Sequence, residues 1–320
     1  MITSYRAEQG RCIIARGDLA ADTLYSAAWI DLFEPTAADE SLAEATVGAA
    51  VPTRDEMAEI EPSSRLYEEA GAAVMTAPLL IRSQSPYPDS TEVTFVLTER
   101  HLVTVRYAEP VSLATFAAAA ERSPSLCSGP REVFVGLLDA MTDRLADTLE
   151  ETGRELDRTG RDTATSPPVA HDLRTRLQDL GRSAEIVSKA RESLVGLARL
   201  VAFARGHRLL RGDDAAMGAL KTVATDVAVL LEHTASLSSK ITFLLDASLG
   251  LINIEQNAII KTFSVVAVMF LPPTLIASIY GMNFEVMPEL GWRFGYPMAL
   301  AAMVASMIAP FLYFKRKGWV

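Results

Sequence analysis

The chain has 320 residues, 49% of them hydrophobic, which is enough for more than one buried core, so two or three structural units are expected. Forty Asp and Glu against 30 Lys and Arg give a formal net charge of -10, which argues against nucleic acid as a partner and for cations or basic surfaces. Cys12 and Cys127 form no CxxC pair and adjoin no His cluster, so neither a disulfide framework nor a zinc site is expected and both thiols read as idle.

Met1 to Arg11 lacks the basic start and apolar run of a signal peptide, which places the first domain in the cytoplasm. Residues 1–110 mix short β-rich runs with helical segments: Arg11 to Ala15, Ala27 to Leu32, Val74 to Ile81, Glu92 to Leu97 and His101 to Tyr107, the last two as a hairpin. Pro35 and Thr36 open an Ala-rich helix to about Val47, with Thr36 as its N-cap. The reading is a small α/β domain. From residue 111 to 212 the pattern is helical, broken at Ser123 to Pro130, Ser166 to Pro168 and Gly206 to Gly212, with three long helices following Pro130.

The third of these begins near Asp213 or Asp214 and has no Pro before Pro272, so a rod of about 60 residues, roughly 90 Å, is expected. Residues 213–257 form its stalk. Leu220, Val223, Val227, Leu230, Thr234, Leu237, Ile241, Leu244, Ser248 and Leu251 recur at spacings of three and four, a seam that packs on other helices or on a symmetry mate.

Residues 258–280 carry one charge, Lys261 at the edge, and suffice to cross a hydrocarbon core of roughly 30 Å. Residues 296–314 carry none and form a second span, after an outer loop over 281–295. Lys261 and the basic tail 315–320, with Lys315, Arg316 and Lys317, put both cytoplasmic ends and both termini on one side. Tyr280, Phe284, Trp292, Phe294 and Tyr296 on the outer side, and Tyr313 and Trp319 on the inner, fit interfacial belts. A single hairpin of spans cannot enclose an aqueous path, so transport requires a homo-oligomer in a lipid bilayer.

Within the first span a stripe runs Asn257, Ile260, Phe263 or Ser264, Ala267, Leu271, Thr274 and Ser278, and it projects back to Asp246, Gly250 and Asn253. It holds most of the polar and small residues there. Two readings stand: a face that lines water, or small residues that let helices approach.

Tyr280, Gly281, Met282 and Asn283 close that span, and Met287, Pro288, Glu289 and Leu290 follow. A GMN tripeptide after a Tyr, ahead of an MPEL loop and between two C-terminal spans, resembles the CorA family of magnesium channels. The likeness is closest from about Asp246 to Val320; Trp29, Ile30, Asp31, Leu32, Pro35 and Thr36 resemble the start of family members less specifically. The resemblance implies an α+β cytoplasmic domain, a very long stalk helix and two transmembrane helices assembled as a funnel-shaped homopentamer. It also implies first spans around the pore and Gly281, Met282 and Asn283 at the outer mouth as the selectivity element.

Magnesium sheds water reluctantly, so a conducting path offers oxygen acceptors to the hydrated ion and avoids a tight carboxylate cage; a ring of Asn283 amide oxygens does this. Gly281 frees the backbone to turn there, and Met282 packs. Glu285 and Glu289, opposed by Arg293, leave the loop net negative and steer cations. By resemblance Asp246, Asn257 and Thr274 fall at polar pore rings, and Ile260 and Leu271 at apolar constrictions. Two departures are the Pro272–Pro273 pair, where the family usually has one Pro, which predicts an added kink, and Ser278, where it often has Gly. Closure by internal divalent ions is a further family trait; its nearest candidates here are Asp226 with Asp55, Glu56, Glu59 or Glu61, each also readable as a solvated charge.

The expected activity is passive influx of Mg2+, gated by intracellular divalent ions, with no cofactor and with Mg2+, or alternatively Co2+, Ni2+ or Zn2+, as the transported and regulatory ion. A zinc, cobalt or nickel carrier of the same family, and a membrane-anchored sensor that does not conduct, are the alternatives. An enzyme is not expected: His101, His171, His207 and His233 form no HExxH or triad pattern, and no P-loop is present.

Overall fold

The computed structural model describes the chain apart from residues 10, 18, 166–169, 283–286 and 320. It forms two compact units, one drawn from residues up to Leu245 and the other from Asp246 to Val320.

In chain order the first unit contains β1 (Ile2–Glu8), β2 (Arg11–Arg16), α1 (Ala21–Tyr25), β3 (Trp29–Phe33), α2 (Ala37–Val47), α3 (Arg54–Met57), α4 (Pro62–Arg65), β4 (Leu66–Glu69), β5 (Ala72–Ile81), β6 (Asp89–Leu97) and β7 (Leu102–Arg106). Then come α5 (Val111–Arg122), a 3-10 turn (Pro124–Cys127), α6 (Pro130–Thr165), α7 (Ala170–Gly206) and α8 (Asp214–Tyr280), which continues into the second unit. A second 3-10 turn (Pro288–Gly291) and α9 (Gly295–Arg316) complete the chain.

The seven strands form one sheet in the order β2-β1-β3-β7-β6-β5-β4. All neighbours are antiparallel except β3 and β7, whose register sets Asp31 opposite Thr104. Side-chain alternation divides the strands between two cores. Ile30, Leu32, Val74, Val96 and Val103 face a cluster with Leu24 of α1, Ala43 of α2 and Met57 of α3. Trp29, Met75, Phe95 and Leu97 face a larger cluster with Phe116 of α5, Phe134 and Leu137 of α6, Leu194 of α7 and Leu220 of α8. Cover on both faces explains why β5 is buried almost throughout instead of on alternate residues.

The expected runs at Arg11, Ala27, Val74, Glu92 and His101 appear as β2, β3, β5, β6 and β7, and the last two pair as the expected hairpin. β1 and β4 lie outside them. Arg6, Ala7 and Glu8 break the apolar pattern of β1, and β4 is four residues long and carries Glu68 and Glu69, so neither announces a strand by periodicity.

Helix starts follow the capping chemistry. The Thr36 hydroxyl accepts from the Asp39 amide, and the Asp39 carboxylate accepts from the Thr36 amide at 3.0 Å, a capping box that opens α2. The Ala216 amide donates to the Asp213 carboxylate at 3.0 Å, so Asp213 is the side chain that opens α8. The α8 seam is core: Leu220, Val223, Val227, Thr234, Leu237, Ile241, Leu244 and Ser248 are all buried. α6 runs parallel to it, with Gly153 against Leu237, an ion pair between Asp157 and Lys240, and Gly160 against Leu244.

Candidate functional site

The site lies in the second unit, on the C-terminal part of α8 and on α9. Both segments are long and apolar enough to cross a membrane, and neither is buried within one chain.

They run antiparallel side by side. At one end the Lys261 ammonium donates to the Gly318 carbonyl at 3.2 Å and lies 5.3 Å from the centre of the Trp319 ring. At the other, Ala277, Tyr280 and Gly281 share a cavity of about 370 Å3 with Trp292, Arg293, Gly295, Tyr296 and Ala299. The face that α8 leaves covered is Lys261, Val265, Met269, Pro272, Pro273, Ile276 and Tyr280, and α9 covers Gly295, Ala299, Met303, Ser306, Pro310 and Phe314. Gly295 and Ala299 allow the close approach that small residues give helices in lipid. The helix runs through Pro272 and Pro273 without interruption. Neither residue has an amide to donate, so the carbonyls of Val268 and Met269 lose their usual partners inside the span.

The predicted stripe lies elsewhere on α8. Asp246, Asn253, Asn257, Ile260, Ala267, Leu271, Thr274 and Ser278 are all exposed in the single chain, on a face that α9 does not cover. Leu271 is 66% exposed. The helix contact within one chain therefore uses another face of α8, its small residues are Gly295 and Ala299 of α9, and the α8 stripe is free of that contact. The Thr274 hydroxyl donates to the Phe270 carbonyl at 2.7 Å and the Ser264 hydroxyl to the Ile260 carbonyl at 2.8 Å. With its proton held by the helix, each oxygen keeps its capacity to accept.

α8 ends at the tripeptide. The Gly281 amide donates to the Ala277 carbonyl at 2.9 Å, the last helical bond, and the Met282 amide turns back to Ile279 at 3.3 Å. A Cβ on Gly281 would stand 3.0 Å from the Ala277 carbonyl oxygen, so this tight stop favours glycine. The Met282 side chain is half exposed. Asn283 and Glu285 lie outside the described residues, and Glu289 falls in the 3-10 turn Pro288–Gly291.

The regulatory candidates sit in the first unit. Asp226 is exposed on α8, within electrostatic range of Asp139 on α6, which Asp143 of α6 also influences. Burial, reinforced by those two carboxylates, raises the Asp139 carboxyl above its ordinary range. This trio crosses between helices, and no spacing in the sequence links Asp139 to Asp226. Asp55 and Glu56 lie on α3, where the Glu56 carboxylate is held low by hydrogen bonds from the Thr53 amide and hydroxyl. Among the described residues no three His, Cys, Asp or Glu side chains gather to hold a metal.

Comparison with known proteins bears on the whole chain. Residues 26–316 match the family described as CorA-like Mg2+ transporter protein. The magnesium transport protein CorA of Haemophilus ducreyi is 33% identical over 320 residues, covering 100% of both chains. That of Salmonella typhimurium is 33% identical over 321 residues, again covering 100% of both. Among solved structures, the complete CorA magnesium transporter of Methanocaldococcus jannaschii superimposes with a TM-score of 0.76 at 16% identity, over 100% of this chain and 99% of that one. The ZntB cytoplasmic domain of Vibrio parahaemolyticus matches 78% of this chain and 97% of its own length, with a TM-score of 0.55 at 9% identity. These two structural likenesses establish the fold: an α+β first unit, a long helix and two apolar C-terminal helices. With a family match across nearly its full length and relatives a third identical from end to end, the chain belongs to the CorA family.

Proposed function

We propose that this protein is a magnesium channel of the inner membrane, a homopentamer whose five copies of the α8 stripe enclose the conducting path. Full-length identity of 33% to proteins named for magnesium transport is the observation that carries this reading. The exposed stripe supports it, because Asn253, Asn257, Thr274 and Ser278 stand on a face that needs either water or neighbouring copies in lipid.

In this reading Asn283, with Gly281 and Met282, forms the outer mouth, where amide oxygens bind the hydrated ion. Glu285 and Glu289 raise the local cation concentration. Asp246, Asn253 and Asn257 provide the inner polar rings, and Ile260 and Leu271 close the path by excluding water. An inside-negative potential of 100 mV favours entry of a divalent ion by about 4.6 kcal/mol, so no ATP-driven machinery is required. Acidic side chains between neighbouring copies, with Asp226, Asp55 and Glu56 as candidates, bind Mg2+ and hold the symmetric closed state, provided that state binds the ion better than the open one. Both termini lie on the cytoplasmic side with Lys261 and the basic tail.

The test is Mg2+ uptake into liposomes holding the full chain or Asn283→Ala, under an imposed inside-negative potential. Uptake by the wild type that is lost in the variant is expected. Flux of zinc, cobalt or nickel with none of magnesium would replace the proposal with a carrier for those ions, and no flux of any divalent ion would leave a membrane-anchored sensor.

A further inference from the structure

The two cysteines, far apart in sequence, meet in the fold. β2 is the outer strand of the sheet and lies against both α5 and the 3-10 turn Pro124–Cys127. Cys12 projects from β2 and is half-buried against the larger core, of which the fully buried Cys127 is a member. The two thiols lie close enough for each to affect the titration of the other. They are the chain's only cysteines, so neither has another thiol within the chain to pair with.

We propose that Cys12 and Cys127 are a reversible thiol–disulfide pair, closed into an intrachain bond by an oxidant of the peroxide or low-molecular-weight disulfide class. The bond would clamp the edge strand β2 to the connection between α5 and α6.

The chemistry balances in either case. With a small disulfide, the Cys12 thiolate attacks one of its sulfurs and expels a thiolate; the Cys127 sulfur then attacks the Cys12 sulfur of the mixed disulfide and releases the second thiolate. Two protein S–H bonds are lost and one S–S bond forms, while the oxidant is reduced to two thiols. With a peroxide, Cys12 becomes a sulfenic acid with loss of hydroxide, and attack by Cys127 releases water.

Cys12 is the first nucleophile because it is the more accessible sulfur. Burial raises the Cys12 thiol, with Glu121 of α5 adding to the effect, and pushes Cys127 up to about 12. Little thiolate is therefore present, so the first step is slow. The second is fast because the partner sulfur is already adjacent.

The experiment uses the full chain in detergent, reduced and then freed of reductant, and exposed to oxidised glutathione or hydrogen peroxide. Free thiols are titrated after denaturation, peptides are mapped by mass without reduction, and thermal unfolding is followed before and after. The expected result is joint loss of both thiols, a peptide linking residues 12 and 127 that reductant separates, and a rise in melting temperature. Cys12→Ser should show neither cross-link nor rise, and Cys127→Ala gives the same control from the buried side. Chain-to-chain cross-links, a stable glutathione adduct on one cysteine, or retention of both thiols would overturn the pairing. A cross-link without a higher melting temperature would overturn the clamp.

Discussion

Asp31 and Arg106 form a buried ion pair across the parallel strands β3 and β7, with Nη2 of Arg106 2.9 Å from one carboxylate oxygen and Nε 3.1 Å from the other. Their side chains are only 6% and 11% exposed. The Thr104 hydroxyl donates to Asp31 at 2.7 Å and accepts from the Trp29 indole at 2.9 Å, so the carboxylate is satisfied from two directions. Trp29 in turn stacks on Tyr5 of β1 at 4.1 Å and meets Phe116 of α5 edge-on. The polar network thus joins β3 to β7, and the ring contacts of Trp29 extend the tie to β1 and the helical layer.

Arg106→Met should destabilise this unit by about 3–5 kcal/mol, because it leaves the Asp31 carboxylate buried without its cation. Asp31→Leu combined with Arg106→Met should cost distinctly less, since both charges are gone. Melting temperatures of the full chain in detergent compare the two. Equal losses would mean that packing, and not the unpaired charge, dominates.

This network shows where sequence reading stops. Trp29, Ile30, Asp31 and Leu32 stand out as a motif, yet their partners Thr104 and Arg106 come more than seventy residues later, and no periodicity joins them. The Cys12–Cys127 contact and the Asp139–Asp143–Asp226 group escape for the same reason. The α8 seam and the two spans were legible because a helix writes its buried face at spacings of three and four in one continuous segment. The α8 stripe was legible as spacing, but only the placement of α9 shows that the covered face is a different one.

Gly196 of α7 faces Pro78 of β5 so closely that a Cβ would stand 2.6 Å from the proline ring. Gly196→Ala should therefore cost about 1–3 kcal/mol through overpacking, despite alanine's better helix propensity. Gly181, on the same helix with open space around it, is the control; there alanine should be neutral or stabilising by up to about 1 kcal/mol. A stabilised Gly196→Ala variant would show that β5 yields at Pro78.

The α2 capping box makes a pH prediction. A hydrogen bond from the Thr36 amide, more than any other contact, lowers the Asp39 carboxyl in the folded chain. A folded value below the unfolded one, about 3.9, means that the contribution is present above the unfolded value and is lost as pH falls through the folded one. Asp39→Asn should accordingly be destabilised at neutral pH and converge on the wild type in acid. Thr36→Ala, which removes only the side-chain half of the box, should cost about 1 kcal/mol and keep the pH dependence. Parallel pH profiles for wild type and Asp39→Asn would refute this assignment.

Leu271 and Thr274 are one turn apart on the exposed stripe of α8 and should affect flux in opposite directions. In the proposed pore Leu271→Ser would replace an apolar ring by a wettable one, so the closed path should leak, with Mg2+ uptake persisting when the interior is already rich in Mg2+. Thr274→Val keeps the shape of the side chain but removes the oxygen that the Phe270 carbonyl orients, so uptake should fall several-fold with no loss of folded protein. Both are read in the same liposome assay, with assembly checked by size in detergent. If both variants conduct and close like the wild type, the conducting face is not this one, and the polar residues of α8 then have to be explained by contacts between copies.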